Sequence, residues 1–157
     1  MKLKFISNAC CIVESNEGTK IVSDPWLDDG VFDGSWCHFH ELKTTWDDLQ
    51  CVDAVYVSHV HPDHFDNRFF QFPKDTPMIV LDHGMNFLHK NLIAMGYTNL
   101  IKIKNYETLP FKDFKLSTFA PFAGHNFFEE NTKIGNMIDS SIVYEADNQS
   151  IFNANDN

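Results

Sequence analysis

The segment Ser58-His59-Val60-His61-Pro62-Asp63-His64 gathers four potential metal-binding side chains within six residues. It follows Val52–Ser58 (VDAVYVS), an apolar run that reads as a strand. In an extended backbone successive side chains alternate, so His59 and His61 point to the same side. Two imidazoles placed this way can hold one divalent ion at ~2.0–2.1 Å. Pro62 stiffens the exit and begins a turn. The turn returns Asp63 and His64 to the same region, a carboxylate and an imidazole for a second ion. Such donors suit Zn, Fe or Mn rather than a soft Cu(I) site. The bland reading is a polar strand end with surface histidines, but the strand-to-loop context fits a ligand set. No G-x-S-x-G nucleophile motif competes with it.

The elements that must carry this motif can be read from the pattern of Val, Ile and Phe clusters bounded by turn residues. Lys2–Ser7, Cys11–Glu14 and Lys20–Ser23 read as an opening antiparallel meander, with a turn at Asn16-Glu17-Gly18. Asp24 to Gln50 is a long irregular stretch, and loops of that length inside a compact domain are usually functional. Met78–Leu81, a helix over Asn86–Met95 stopped by Gly96, and Leu100–Ile103 form a strand–helix–strand crossover. Phe111–Phe119, Ser141–Glu145 and Ser150–Phe152 complete the strands, with a second loop from Pro121 to Met137. The expected class is a mixed α/β layered fold, a single domain over residues 1–157.

Composition agrees with a folded domain. The chain has 157 residues, 43% hydrophobic and 22% charged, with 15 Phe, 4 Tyr and 3 Trp to bury. At this length a fold can hide roughly 70% of the surface of its unfolded chain. No apolar run approaches the ~18 residues that a membrane helix needs, so no membrane is expected. The net charge is -10 and Arg68 is the only arginine, which makes a nucleic-acid partner a poor expectation. The N-terminus reads as a first strand, not a signal peptide. A reducing cytoplasm with free Cys10, Cys11, Cys37 and Cys51 follows as the expected setting.

SHVHPDHFD after an apolar strand resembles the first metal motif of the metallo-β-lactamase superfamily, and KIVSDPWL (Lys20–Leu27) resembles its early strand ending in Asp. Together with the long loop, these segments look most like the sugar-associated branch, CMP-N-acetylneuraminate hydroxylase-like and ascorbate-6-phosphate lactonase-like proteins. The resemblance implies an αββα sandwich, of which this chain covers the first half to two-thirds. It implies His59, His61 and His125 as ligands of a first ion, Asp63 and His64 as ligands of a second, Asp156 as a bridge between them, and Asp24 as a support behind the site. Zn2+ is the expected metal, one or two ions, with Fe or Mn as the others. Family members continue past this point and supply a further histidine, so the chain is expected to be C-terminally incomplete.

The implied activity is hydrolysis by a metal-activated water, with Asp63 orienting the water and moving its proton. The expected substrate is small and anionic or sugar-derived: a lactone, ester, amide or phosphoester. A rival reading is a non-catalytic or split-protein fragment that binds at most one ion, with a second chain or a homodimer covering an open apolar sheet face. A monooxygenase reading would need the paired Cys and His of a Rieske cluster, and the chain has no such pairs. His38, His40, His83 and Trp36 are candidates for the substrate pocket, although an exposed His38/His40 pair and Trp packing are the bland readings. His89 reads as a surface residue of the helix. Cys10, Cys11 and Cys51 read as core, and Asp139, the rival to Asp156 for the bridging role, reads rather as a turn residue before a strand.

Overall fold

A computed structural model describes residues 1–82, 87–120 and 139–156. Among the described residues, ten strands form two sheets. The first has the order β1-β2-β3-β4-β5-β6, from β1 (Lys2–Ser7), β2 (Cys10–Glu14), β3 (Lys20–Ser23), β4 (Ala54–Tyr56), β5 (Met78–Asp82) and β6 (Leu100–Lys104). Its first three strands are the expected antiparallel meander, and β3 to β6 run parallel. The second sheet is antiparallel, from β7 (Thr108–Phe111), β8 (Phe114–Phe119), β9 (Ser141–Ala146) and β10 (Gln149–Asn153).

Alternation along the strands makes two cores. Val22, Val55, Val57, Met78 and Val80 face a layer built from the helix α3 (Phe87–Ala94) and from Phe65, Phe70, Phe72 and Tyr97. Ile21, Ala54, Tyr56 and Ile79 face the second sheet, where Phe114, Leu116, Ile142 and Tyr144 meet them. β4 and the first four residues of β5 are buried on both faces, as parallel strands between two layers must be. Two phenols cross the inter-sheet core with partners: Tyr144 Oη lies 2.6 Å from Ser23 Oγ, and Tyr56 Oη donates to the Ser140 carbonyl at 2.9 Å. Burial pushes both phenols well above their usual pKa, so both stay neutral.

The crossover β5–α3–β6 is present, and Gly96 at φ 88 ends its helix region, with Tyr97 N donating to Leu92 O at 3.1 Å. Three expectations change. Phe111–Phe119 is not one strand. It is the end of β7 and β8, joined by a two-residue turn at Lys112 and Asp113, with Lys112 at φ 51. The turn carries no glycine or asparagine to mark it. His89 is buried rather than exposed, 2% accessible, with its Nε2 3.1 Å from Leu81 O. Cys51 is exposed, while Cys10 and Cys11 are buried as expected. The stretch 24–50 is irregular apart from a left-handed turn α1 (Val31–Gly34) and a short α2 (Trp46–Leu49).

The outer face of the second sheet mixes polar and apolar residues. Lys115 pairs with Glu145 and Thr108 with Ser117, and Ser150 sits opposite Glu145. Pro110, Phe119, Val143 and Phe152, the last 61% exposed, supply its apolar surface.

Ile79 is fully buried between the sheets. Ile79→Ala should therefore cost about 2–5 kcal/mol in urea unfolding. Ile93→Ala, on the exposed side of α3, should change stability by no more than about 0.5 kcal/mol. Equal losses would contradict the layer assignment.

Candidate metal centre

The histidine motif hangs from the carboxyl end of β4. Val57 N still donates to Ile79 O at 3.1 Å, extending the strand pairing by one step. Ser58 N donates to Asp24 Oδ1 at 2.7 Å. The chain then turns about Pro62: His64 N and Phe65 N both donate to His61 O, at 3.0 and 2.8 Å. Phe65, 4% exposed, plugs into the helix-side core and anchors the turn.

This local folding brings the motif's side chains together. His59 Nε2 lies 2.8 Å from His61 Nδ1, so the two rings do share a side. Single ligand atoms of His59, His61 and Asp156 all lie within 4.8 Å of one another, an arrangement that could hold a metal ion. Asp156 stands between two groups, with Oδ2 3.7 Å from His59 Nε2 and Oδ1 3.4 Å from His64 Nε2. Asp63 Oδ2 is 3.3 Å from the same His64 nitrogen. Buried His64 Nε2 has no hydrogen bond among the described residues. An imidazole nitrogen that faces two carboxylates would, once deprotonated, suit a cation between them, and so does the donor set.

A ring of supports stands behind these groups. Asp24 has no exposed surface, and its Oδ2 lies 3.3 Å from His64 Nδ1. Ser58 Oγ is 2.9 Å from His59 Nδ1, and Asp139 Oδ1 is 3.4 Å from the same nitrogen. Asn155 Nδ2 donates to Asp139 Oδ1. Such partners orient a ligating imidazole and choose its tautomer. Ser140 Oγ donates to Ser58 O at 2.9 Å and ties the start of β9 to the motif. Asn8 Nδ2 donates to Asp63 Oδ2 at 2.9 Å from the β1–β2 turn.

Charge follows from this packing. Burial, and then the charges of His64 and His61, push the His59 imidazole down to about 3, so it is neutral at pH 7, the form that ligates. Burial opposes a charge on His64. The hydrogen bond and charge of Asp24, with the charges of Asp63 and Asp156, outweigh it and raise the pKa. Burial raises the Asp139 carboxyl, against the hydrogen bonds from Ser140 and Asn155.

Other candidates fall outside this cluster. His125 and His83 lie outside the described residues. His38 is not simply exposed: its side chain is 7% accessible, its ring stacks on Trp26 at 4.0 Å, and its Nδ1 lies 2.8 Å from Asp29 Oδ1. His40 is exposed at φ 73, and Trp36 is 48% exposed. Both line a groove beside the β1–β2 turn. Asp139 does precede β9 as expected, but it also reaches the site. Asn8 and Asn155 were not candidates, and their contacts cross 55 and 96 residues of sequence.

A family model described as "Beta-lactamase superfamily domain" matches residues 2–145. The cytidine monophosphate-N-acetylneuraminic acid hydroxylase of Mus musculus is 29% identical over 106 residues, 64% of this chain and 18% of that protein. The chain spans about a fifth of the length of the first curated relatives that it matches. The isothiocyanate hydrolase from Delia radicum gut bacteria superposes with a TM-score of 0.72 at 24% identity, covering 97% of this chain and 60% of that one. CmlA, a diiron β-hydroxylase from Streptomyces venezuelae, superposes with a TM-score of 0.67 at 17% identity, covering 98% and 29%. The likeness to these structures shows a shared fold, and the chain belongs to the metallo-β-lactamase superfamily.

Proposed function

We propose that this chain carries the metal-binding part of a metal-dependent hydrolase that acts on a small, anionic or sugar-derived substrate. One observation supports it above the rest: two histidines on one side of Asp156 and a third on the other, with Asp63 beside the third. In this reading His59 and His61 would hold one ion and Asp63 and His64 a second, with Asp156 available to either. His125, which lies outside the described residues, would by the family resemblance be a third ligand of the first ion. Divalent ions there would supply Lewis acidity and lower the pKa of coordinated water from 15.7 to about 7.

The chain's own groups do the rest. Asp63 orients the attacking water and carries its proton. Asn8 fixes the orientation of that carboxylate through its 2.9 Å bond. Asp24 and Asp139 hold the rings of His64 and His59. His61 and Asp156 are exposed, and substrate enters on their side. A lactone, ester, amide or phosphoester would fit such chemistry. Zn2+ is the proposed ion, with Fe or Mn as alternatives. No helix among the described residues is long and apolar enough to cross a membrane, and a cytoplasmic setting is part of the proposal.

A second reading is oxidative. The diiron β-hydroxylase shares the fold, and imidazole with carboxylate suits iron as well as zinc. A third is the non-catalytic fragment that holds at most one ion.

Elemental analysis of the purified chain should find about one to two metal ions per chain, lost in the His59→Ala/His61→Ala variant. No metal above that variant would leave the fragment reading. Iron with metal-dependent oxygen uptake would favour the oxidative one. Asp139→Asn should weaken metal binding roughly 10–100-fold in competition with a chelator. In the metal-loaded protein, Asp63→Asn should lower kcat for ester or lactone hydrolysis by roughly 10²–10⁴ with a smaller change in KM. Unchanged kcat would remove Asp63 from the proton transfer.

A further inference from the structure

A groove of 770 Å³ runs between β1 and the 36–44 loop, and its lining includes Asn8, the residue bonded to Asp63. That volume lies within the usual ~300–1,000 Å³ of small-molecule clefts. Its apolar walls are Phe5, Trp26, Trp36 and Phe39. Three of them present much surface to water: Phe5 is 68% exposed, Phe39 90% and Trp36 48%.

The wall joins the metal cluster through a series of rings. His61 and Phe32 are 6.4 Å apart, Phe32 and Trp36 4.9 Å, and Trp36 and Trp26 6.3 Å. The loop that carries these rings is held in shape. Asp29 accepts from His38 N at 2.7 Å and pairs with its Nδ1, while Arg68 Nη2 donates to Gly30 O at 3.3 Å. The two hydrogen bonds from His38 hold the Asp29 carboxyl below its usual pKa. In a chain of net charge -10, the groove nonetheless carries Lys4 and Lys43 against Glu41.

We propose that this groove is the subsite for a flat aromatic group of an anionic substrate, with Trp36 as the residue that selects for it. The inference rests on the hydrolase reading for its place beside the reacting centre, and it narrows the substrate class of that reading. Aromatic side chains stack on flat rings in offset or edge-to-face contacts, and the two lysines suit an acidic group on the same molecule. A preformed wall loses little entropy when such a ring enters.

Binding can be read without catalysis, which separates this inference from the hydrolase reading. The probe is 2-naphthoate, titrated into the metal-free chain and followed by tryptophan fluorescence and calorimetry. Saturable binding is expected, weakened about tenfold or more in Trp36→Ala and for cyclohexanecarboxylate, which is not flat. Trp36 is half exposed, so an unchanged thermal midpoint in Trp36→Ala is expected and shows that the fold is intact. In that folded variant, undiminished binding overturns the proposal, as does no binding by the parent chain. A dimer lost in Phe39→Ser would place a second copy in the groove and would overturn it too.

Discussion

Asp24 has no exposed surface and stands at the carboxyl end of β3, where its two oxygens serve two points of the segment that follows β4. Oδ1 accepts the Ser58 backbone N–H that follows β4, and Oδ2 faces His64 after the turn. A buried carboxylate without such partners would be costly to fold, so the fold depends on their staying in place. Asp24 itself sits at φ 41, and its backbone N–H donates to Tyr56 O at 2.9 Å. The same residue therefore closes the β3–β4 register and sets the direction in which the histidine motif leaves the sheet. Removing one partner would leave the other exposed to an uncompensated charge.

The centre is assembled from ends. His59 and His64 follow β4, Asp24 follows β3, Asp139 precedes β9, and Asp156 follows β10. The first sheet supplies the parallel strands, and in open sheets of this kind ligands gather beyond their carboxyl ends. The second sheet contributes through Ser140, which bonds both Tyr56 and the Ser58 carbonyl. Packing of the two sheets through Tyr56, Ile142 and Tyr144 thus holds the carboxylates opposite the imidazoles.

What the sequence revealed follows from distance along the chain. His59, His61, Asp63 and His64 are local, so alternation and one proline turn placed them together on paper as in space. The β5–α3–β6 crossover was readable because its helical spacing and Gly96 are local as well. Asp156 came only from a family resemblance, because nothing near it announces the site. Asp139 looked like a turn residue, since its contact with His59 spans two sheets. His38 looked exposed because neither Asp29 nor Trp26 marks itself as its partner. The turn at Lys112 was hidden by a residue type that rarely adopts positive φ, paired here with Asp53.

Asp156 has a consequence for synthesis. It is separated from His64 by about 90 residues, which a ribosome adds at ~5–20 per second. For roughly 5–20 s the nascent chain presents three histidines and Asp63 without the carboxylate that stands between them. During that interval the meander and β4 can already pair, but the cluster lacks its shared acidic partner. The order of translation thus makes completion of the cluster that could hold a metal ion a late event, set by the hairpin that delivers Asp156.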